Sequence, residues 1–351
     1  MRPLDRDDLD AVAGLYELVV RSGTSAPAPG LAEQFARTVL DHPWADEDLP
    51  SLVYEDPKAG IVGFLASHPR RLRFGERDLR VACSGQFVSH PDFRRRGVGA
   101  LLLRRYLAGP QDVSLTDGAT DEVRAMWQML GGTTNGLASV SWTRVLRPAA
   151  FAGSFLAHRA GRAGGRLPGL LDRIGMTRAL APSAPDATSE PLTPAALVDG
   201  LAELADDFPL RPAYDEAFVD WLFRELATVR RRGELETRLV RGGDGRILGW
   251  YIVYLDPGES AQAIQVVATE RDAGAVLDEL FHTAAAAGST AVSGRIEPHL
   301  QAALRGRRCL FMRSEWALVH SAEPELLAAI AGRGALLTRL EGEWWMGHHL
   351  R

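Results

Sequence analysis

Apolar side chains recur at helical spacing at the start of the chain. Across 6–20, RDDLDAVAGLYELVV, the residues Leu9, Val12, Ala13, Tyr16, Val19 and Val20 fall on one face and predict an amphipathic helix, with Asp5 or Asp7 at its start. A second helix is predicted over 30–40. The pattern then turns to strands. SLVYEDPKAGIVGFLASHP (51–69) predicts two strands joined by a turn at Asp56–Gly60, and RLRFGERDLRVACSGQFVSH (71–90) two more around Gly75, ending before Pro91. From Phe93 the helical period returns, with Leu101, Leu102 and Tyr106 expected to face a sheet. A short strand at 112–117 follows, then a helix over 120–130 that starts at Thr120 and stops at Gly131–Gly132. A last strand is predicted at 138–146. Strands mixed with packed helices give an α/β (α+β) layered fold.

The second half repeats this order. TRLVRGGDGRILGWYIVYLD (237–256) echoes 51–69, QVVATERDAGAVLDELFHTAAAAG (265–288) echoes 86–109, and a helix is predicted near 214–228. Such self-similarity suggests a duplicated domain. Between the halves the composition shifts. Residues 151–185 carry five Arg and one Asp, and RALAPSAPDATSEP (178–191) disfavours both helix and core. The expected division is a first domain at 1–148, a basic then Pro/Ala-rich linker at 149–190, and a second domain at 191–351. The basic stretch 158–169 reads as a solvated connector or short helix, the alternative being contact with a phosphate or an acidic membrane surface. EGEWWMGHHL (341–350) reads as a terminal strand. Its His348 and His349 point to opposite sides and have no third partner, so no metal site is expected.

A chain of 351 residues suits two domains, and its 46% apolar content supports real cores. The net charge of −5 excludes a wholly basic nucleic-acid coat. Cys83 and Cys309 lie far apart, which argues against a disulfide scaffold or a cysteine-rich metal site. The start, MRPLDRDDLD, lacks a secretory apolar core, and no stretch has bilayer-spanning length. The expectation is a cytoplasmic protein with neither a membrane nor a nucleic-acid partner.

The chemistry concentrates in Gln86–Leu103. A strand runs into Arg94-Arg95-Arg96-Gly97-Val98-Gly99 and then an apolar helix. Glycines allow close approach, and the first amides of a helix have no intrahelical partner, so the turn is suited to a phosphate or pyrophosphate. The alternative is an ordinary glycine-rich turn with solvated arginines. The spacing matches neither the ATPase phosphate loop nor the dinucleotide fingerprint.

These residues resemble the GNAT superfamily of acyl-CoA N-acyltransferases, whose signature is Arg/Gln-x-x-Gly-x-Gly/Ala after the fourth strand. VSHPDFR, ahead of it, and the opening RPLDRDDLDAVAGLY are similar too, so the likeness covers about residues 1–145. It implies two tandem GNAT-like domains, each a mixed, mostly antiparallel sheet flanked by helices. Phe87 and Val88 would run beside the pantetheine arm of acetyl-CoA, and Arg94, Arg95, Arg96, Gly97, Val98 and Gly99 would hold its pyrophosphate. The family's usual tyrosine falls at Trp127, where an indole cannot protonate the departing thiolate; core or acyl-pocket packing is the plainer reading. At the matched place in the second half, Thr269–Ala275 lacks the glycine pair and carries Glu270 and Asp272. That half is expected not to bind CoA but to pack on the first and wall the acceptor cleft.

The implied activity is N-acetyltransfer from acetyl-CoA to the amine of a small molecule, without a metal. The Val88 amide is a candidate oxyanion donor, and Ser84 and Gln86 are candidates to orient a water. Asp117, His90 and Glu76 are candidate bases, against turn capping for Asp117 and turn surface for the other two. Cys83 reads as core. The rival reading is a catalytically weak acyl-CoA-binding pseudoenzyme acting as a sensor or interaction protein.

Overall fold

A computed structural model describes residues 1–21, 23–159, 182 and 185–346. In chain order its first half runs β1 (Arg2–Pro3), α1 (Leu9–Tyr16), α2 (Leu31–Phe35), β2 (Leu52–Asp56), β3 (Gly60–Phe74), β4 (Arg77–Ser89), α3 (Val98–Leu107), β5 (Val113–Ala119), α4 (Asp121–Met129), β6 (Thr133–Asn135), β7 (Val140–Val145) and α5 (Pro148–Arg159). The second half runs β8 (Thr188–Pro191), α6 (Pro194–Glu203), β9 (Leu210–Pro212), α7 (Glu216–Ala227), β10 (Glu234–Arg241), β11 (Ile247–Leu255), β12 (Ser260–Ala268), α8 (Ala273–Ala286), β13 (Ala291–Arg295), α9 (Gln301–Arg305), β14 (Leu310–Arg313), β15 (Trp316–His320) and α10 (Pro324–Ala331).

These elements form two mixed, mostly antiparallel sheets flanked by helices. The first has the order β1-β2-β3-β4-β5-β15-β6, with β9 also on β3. The second has the order β14-β7-β13-β12-β11-β10-β8. Each contains one parallel pair, β4 with β5 and β12 with β13, because a helix crossover returns the chain to the same edge.

Local chemistry explains the element ends. Asp5 and Asp8 cap each other's backbone at the entry to α1, and Arg2 grips Asp8 through two nitrogens at 2.6 and 2.8 Å. The Thr120 hydroxyl accepts from Val123 N and starts α4. The two strands expected on either side of residue 70 are one: β3 runs unbroken and turns into β4 through Gly75–Glu76. On α3 the side chains buried against the sheet are Val98, Leu102, Leu103, Tyr106 and Leu107, each contributing about 1.5–3 kcal/mol when fully buried. Leu101, expected to face the sheet, is 42% exposed, since one step along a helix turns the side chain by roughly 100°.

The division of the chain differs from the expected blocks 1–148, 149–190 and 191–351. One compact unit comprises the described residues of Met1–Ser139, Pro209–Trp221 and Glu315–Arg351; the other comprises those of Val140–Phe208 and Leu222–Ser314. The strand predicted at 138–146 is β7, and it lies in the second sheet between β13 and β14. In exchange β15, from the far end of the chain, lies in the first sheet between β5 and β6. Side-chain alternation marks a strand and its buried face but not which edge it joins, and that is set by register and partner.

The terminal strand expected at 341–350 is absent over 341–346, which form turns. Asp117 Oδ1 accepts the amides of both Glu343 and Trp344 at 2.9 Å, and Met346 N returns to Glu343 O. A side-chain acceptor bonded to successive amides holds a turn, not an extended ladder. His348 and His349 lie outside the described residues, as does most of the basic stretch 158–169. Among the described residues no helix is long and apolar enough to cross a membrane, and no group of three or more His, Cys, Asp and Glu could hold a metal ion.

Candidate functional site

Strands β4 and β5 are paired only over Val81–Val113, Ala82–Ser114 and Cys83–Leu115. Both continue past that point, β4 to Ser89 and β5 to Ala119, so the sheet opens between them. Against β3 the register moves from Ala66↔Gly85 to Phe64↔Val88, which inserts one extra residue into β4. Gln86 in this bulge has φ 42°, a region few side chains enter. It is held by the buried ring of His68, whose Nε2 lies 2.8 Å from Gln86 Oε1 and whose Nδ1 lies 3.1 Å from Thr38 O. Burial first, and then the Arg70 cation, push the His68 pKa down to about 4.

The opening is a cavity of about 340 Å³. Its walls are Ser84–Val88 of β4, Thr116 and Gly118–Thr120 at the end of β5, Tyr16 and Val20, Val123 of α4, and Glu315, Glu343 and Trp344. All of these belong to the first compact unit. Glu343 sits where the strands part. Its Oε1 accepts from Thr116 Oγ1 at 2.5 Å and Gly118 N at 3.0 Å; its Oε2 accepts from Asp117 N at 2.9 Å and, weakly, from Cys83 Sγ at 3.5 Å. Burial, then the charge of Asp117, raise the Glu343 pKa well above the usual carboxylate range, against the pull of the Thr116 hydroxyl. Gly342 brings this turn against the sheet: a Cβ there would lie 2.1 Å from the Asp117 carboxyl.

Beyond β4 the chain makes a short 3₁₀ turn, Pro91–Arg96, and enters α3 through Gly97 at φ 74°. The first bond of the helix ladder is Leu101 N to Gly97 O at 3.0 Å, which leaves the amides of 98–100 without intrahelical partners. Arg94, Arg95 and Arg96 are exposed beside them. Arg96 lies 3.7 Å from Asp56 and stacks over Phe93 at 4.5 Å. Gly99 is packed against Phe87: a Cβ there would meet the Phe87 ring at 3.3 Å, and Phe87 itself lines the cavity. Loop, bulge and cavity are thus contiguous.

The residues expected to carry proton transfer separate. Glu76 is in the β3–β4 turn, at the opposite end of β4 from the cavity, about 30 Å away at strand rise. His90 caps the 3₁₀ turn through Nδ1, accepting from Asp92 N at 3.3 Å. Asp117 is buried and gives Oδ1 to the 343–344 turn, so the capping role weighed for it is the one its geometry displays, with the terminal segment as the thing capped. Trp127 is fully buried among Leu103, Tyr106 and Leu318, as core. Cys83 is fully buried, its thiol pushed up by burial. Sequence reasoning missed Thr116 and Glu343. Nothing near Glu343 in the chain marks it, since its neighbours in space are more than 220 residues away.

The second unit has a strand gap at the matching place. β12 and β13 pair only over Ser260–Ala291, Ala261–Val292 and Gln262–Ser293. Past that point His299 inserts, its Nε2 donating to Val266 O at 3.1 Å and its ring edge meeting Phe208 at 5.1 Å. Burial pushes the pKa of this histidine down to about 4. Just before α8 the Asp272 carboxylate is bonded by both terminal nitrogens of Arg246 at 2.9 Å and by Thr269 Oγ1 at 3.1 Å, and not by the helix amides. The Arg246 bonds hold its pKa below the ordinary value.

No protein-family model and no curated protein sequence matches the chain. Solved structures do. A probable N-acyltransferase from Enterococcus faecalis V583 superposes with TM-score 0.60 at 10% identity, over 92% of this chain and 72% of that one. A GCN5-related N-acetyltransferase from Anabaena variabilis gives 0.58 at 12%, over 92% and 72%, and one from Kribbella flavida gives 0.56 at 16%, over 90% and 70%. Identities this low speak to fold alone: the chain shares the fold of these structures.

Proposed function

We propose that the chain is an acyl-CoA-dependent N-acetyltransferase that passes acetyl from acetyl-CoA to the amine of a small molecule, and that only its first unit binds CoA. The observation that carries this reading is the continuity of three features: free helix amides at 98–100, exposed Arg94–Arg96, and a cavity where β4 has lost its neighbour. The amides and the helix dipole suit a pyrophosphate, and the arginines add charge. The unpaired edge of β4 at 84–88 suits the amide-bearing pantetheine arm, which delivers the thioester to the cavity beside Phe87 and Val88. The Val88 amide is the proposed oxyanion donor. Holding amine and thioester together in one cavity is the main source of rate. Glu315 and Glu343 in the walls favour a cationic acceptor over an acidic one.

The second unit, in this reading, has lost the activity. The Asp272 carboxylate beside the start of α8 would repel a pyrophosphate, and His299 already bonds the strand along which a thioester arm would run.

Calorimetric titration of acetyl-CoA tests the assignment. One site per chain is expected, with affinity reduced at least about 100-fold in a Gly97→Glu, Gly99→Glu double variant, because the first change adds a carboxylate at the helix entry and the second drives a side chain into the Phe87 ring beside it. Unchanged affinity would remove the site, and two sites per chain would remove the silence of the second unit. Burial of Trp127 where the family has its tyrosine favours the rival reading of an acyl-CoA sensor. Thiol release across a panel of amines separates the two, since a sensor binds without turnover.

A further inference from the structure

We propose that the Thr116 hydroxyl and the Glu343 carboxyl form the relay that takes the proton from the acceptor ammonium, with Asp117 as the residue that positions it. This rests on the acyltransferase reading above and adds the groups that move the proton.

The argument starts from occupancy. An ionised carboxylate offers about four lone-pair sites. Once ionised, at a pH above its raised pKa, Glu343 is addressed by four donors, Thr116 Oγ1, Gly118 N, Asp117 N and Cys83 Sγ, with the Asp117 carboxyl also beside it. Three of them are fixed by the strands, and only the Thr116 hydroxyl is both mobile in its proton and part of the cavity wall. Thr116 Oγ1 gives its hydrogen to Glu343 at 2.5 Å and keeps lone pairs of its own, so it can accept from an ammonium while it donates. Asp117 fixes the far side. Its Oδ1 receives the amides of Glu343 and Trp344, and its own amide bonds Glu343 Oε2, so the carboxyl from the end of the chain is held in register with β5.

The step balances. One ammonium proton passes to Thr116 Oγ1 as the hydroxyl proton passes to Glu343. The freed lone pair on nitrogen forms the C–N bond at the thioester carbonyl carbon. The C–S bond breaks and CoA leaves as thiolate. The second proton lost from nitrogen neutralises the thiolate, and Glu343 returns the first to solvent. A buried carboxyl with an elevated pKa is a better match to an alkylammonium than an ordinary glutamate is. The groups facing Glu343 are Asp117 on β5, Cys83 on β4, the buried Tyr106 on α3 and the His68 ring, which with the Glu343 Cβ flanks Gly85; Glu315 and Tyr16 share the cavity.

The experiment compares Thr116→Val, Thr116→Ser and Glu343→Gln in the full chain. It uses two acceptors, an alkylamine that is protonated at the assay pH and a weakly basic amine that is already neutral. Acetyl-CoA titration and thermal melting report binding and folding. The relay predicts a loss in kcat/KM of about 100-fold or more for the alkylamine in Thr116→Val and Glu343→Gln, and a much smaller loss for the neutral amine. Thr116→Ser should stay within about tenfold of the wild type, and acetyl-CoA affinity should not change in Thr116→Val. The acid limb of the kcat/KM profile should be displaced in Glu343→Gln. If Glu343→Gln does not fold, the Thr116 pair decides alone. Wild-type turnover with Thr116→Val near normal, or with equal losses for both amines, overturns the relay and leaves the acyltransferase intact. Acetyl-CoA binding without wild-type turnover of any amine overturns both.

Discussion

Two turns lead from a strand into a helix at matching places in the two sheets, and they end in opposite electrostatic states. At 94–99 the helix start is approached by three exposed arginines and by glycines at 97 and 99. At 269–274 the residue before the helix is Asp272, whose carboxylate is clasped by Arg246 and makes no bond to the helix amides. The strand gaps beside them differ too: one borders a cavity of about 340 Å³, and at the other the buried His299 bonds the strand. Two sheets with matching strand gaps therefore differ in the charge beside the helix that follows. A helix terminus and a split sheet are generic, and what occupies them decides whether they bind a ligand or complete a core.

The largest effect on this comparison is expected at Gly342. Only the first unit has its gap floored by the terminal turn, and a Cβ at 342 would overlap the Asp117 carboxyl at 2.1 Å. Gly342→Ala should cost about 3 kcal/mol, read from urea denaturation, and should lower amine turnover by shifting Glu343. Stability within about 0.5 kcal/mol of the wild type would mean the turn is not seated as described.

Next comes the gap of the second unit. His68 in the first unit and His299 in the second both have folded pKa values near 4, below the unfolded value near 6.5. Between those values the unfolded chain binds more protons, so their contribution is full above about pH 6.5 and is lost as pH falls toward 4. Glu343 has the opposite sign: its raised value makes the folded chain the better proton binder, and its contribution falls as pH rises above the ordinary carboxylate range. His299→Gln retains a donor for Val266 O and removes one titrating group. The drop in unfolding free energy between pH 6.5 and 4.5 should therefore be smaller in this variant, with acetyl-CoA affinity unchanged. An identical pH dependence would show that His299 is not held neutral.

The smallest effect is expected at Asp272. Its partner Arg246 is about half exposed, so solvent screens the pair, and Asp272→Ala should cost no more than about 1 kcal/mol. Acetyl-CoA stoichiometry should stay at one, because His299 still bonds the strand at the gap. A second site appearing in Asp272→Ala would mean that the carboxylate alone silences the second unit.

Local signals in the chain were enough for the helices of 6–20, 93–108 and 120–130, the strands around Asp56–Gly60 and Gly75, the glycine-led turn at 94–99 and the weak repeat in the second half. Each depends on side-chain period, a capping residue or a glycine, all of which act within a few residues. The fold class followed, and so did the position of the glycine-led turn on which the proposed site rests. Tertiary structure alone decided the exchange of β7 and β15 between the two sheets. It likewise sent Asp117 to a turn, left Glu76 at the wrong end of its strand, and placed a glutamate from residue 343 beside Thr116. Strand partners and buried polar contacts are chosen by register and by what must be hydrogen-bonded once water is gone, and residues more than 220 positions apart carry no local trace of that choice.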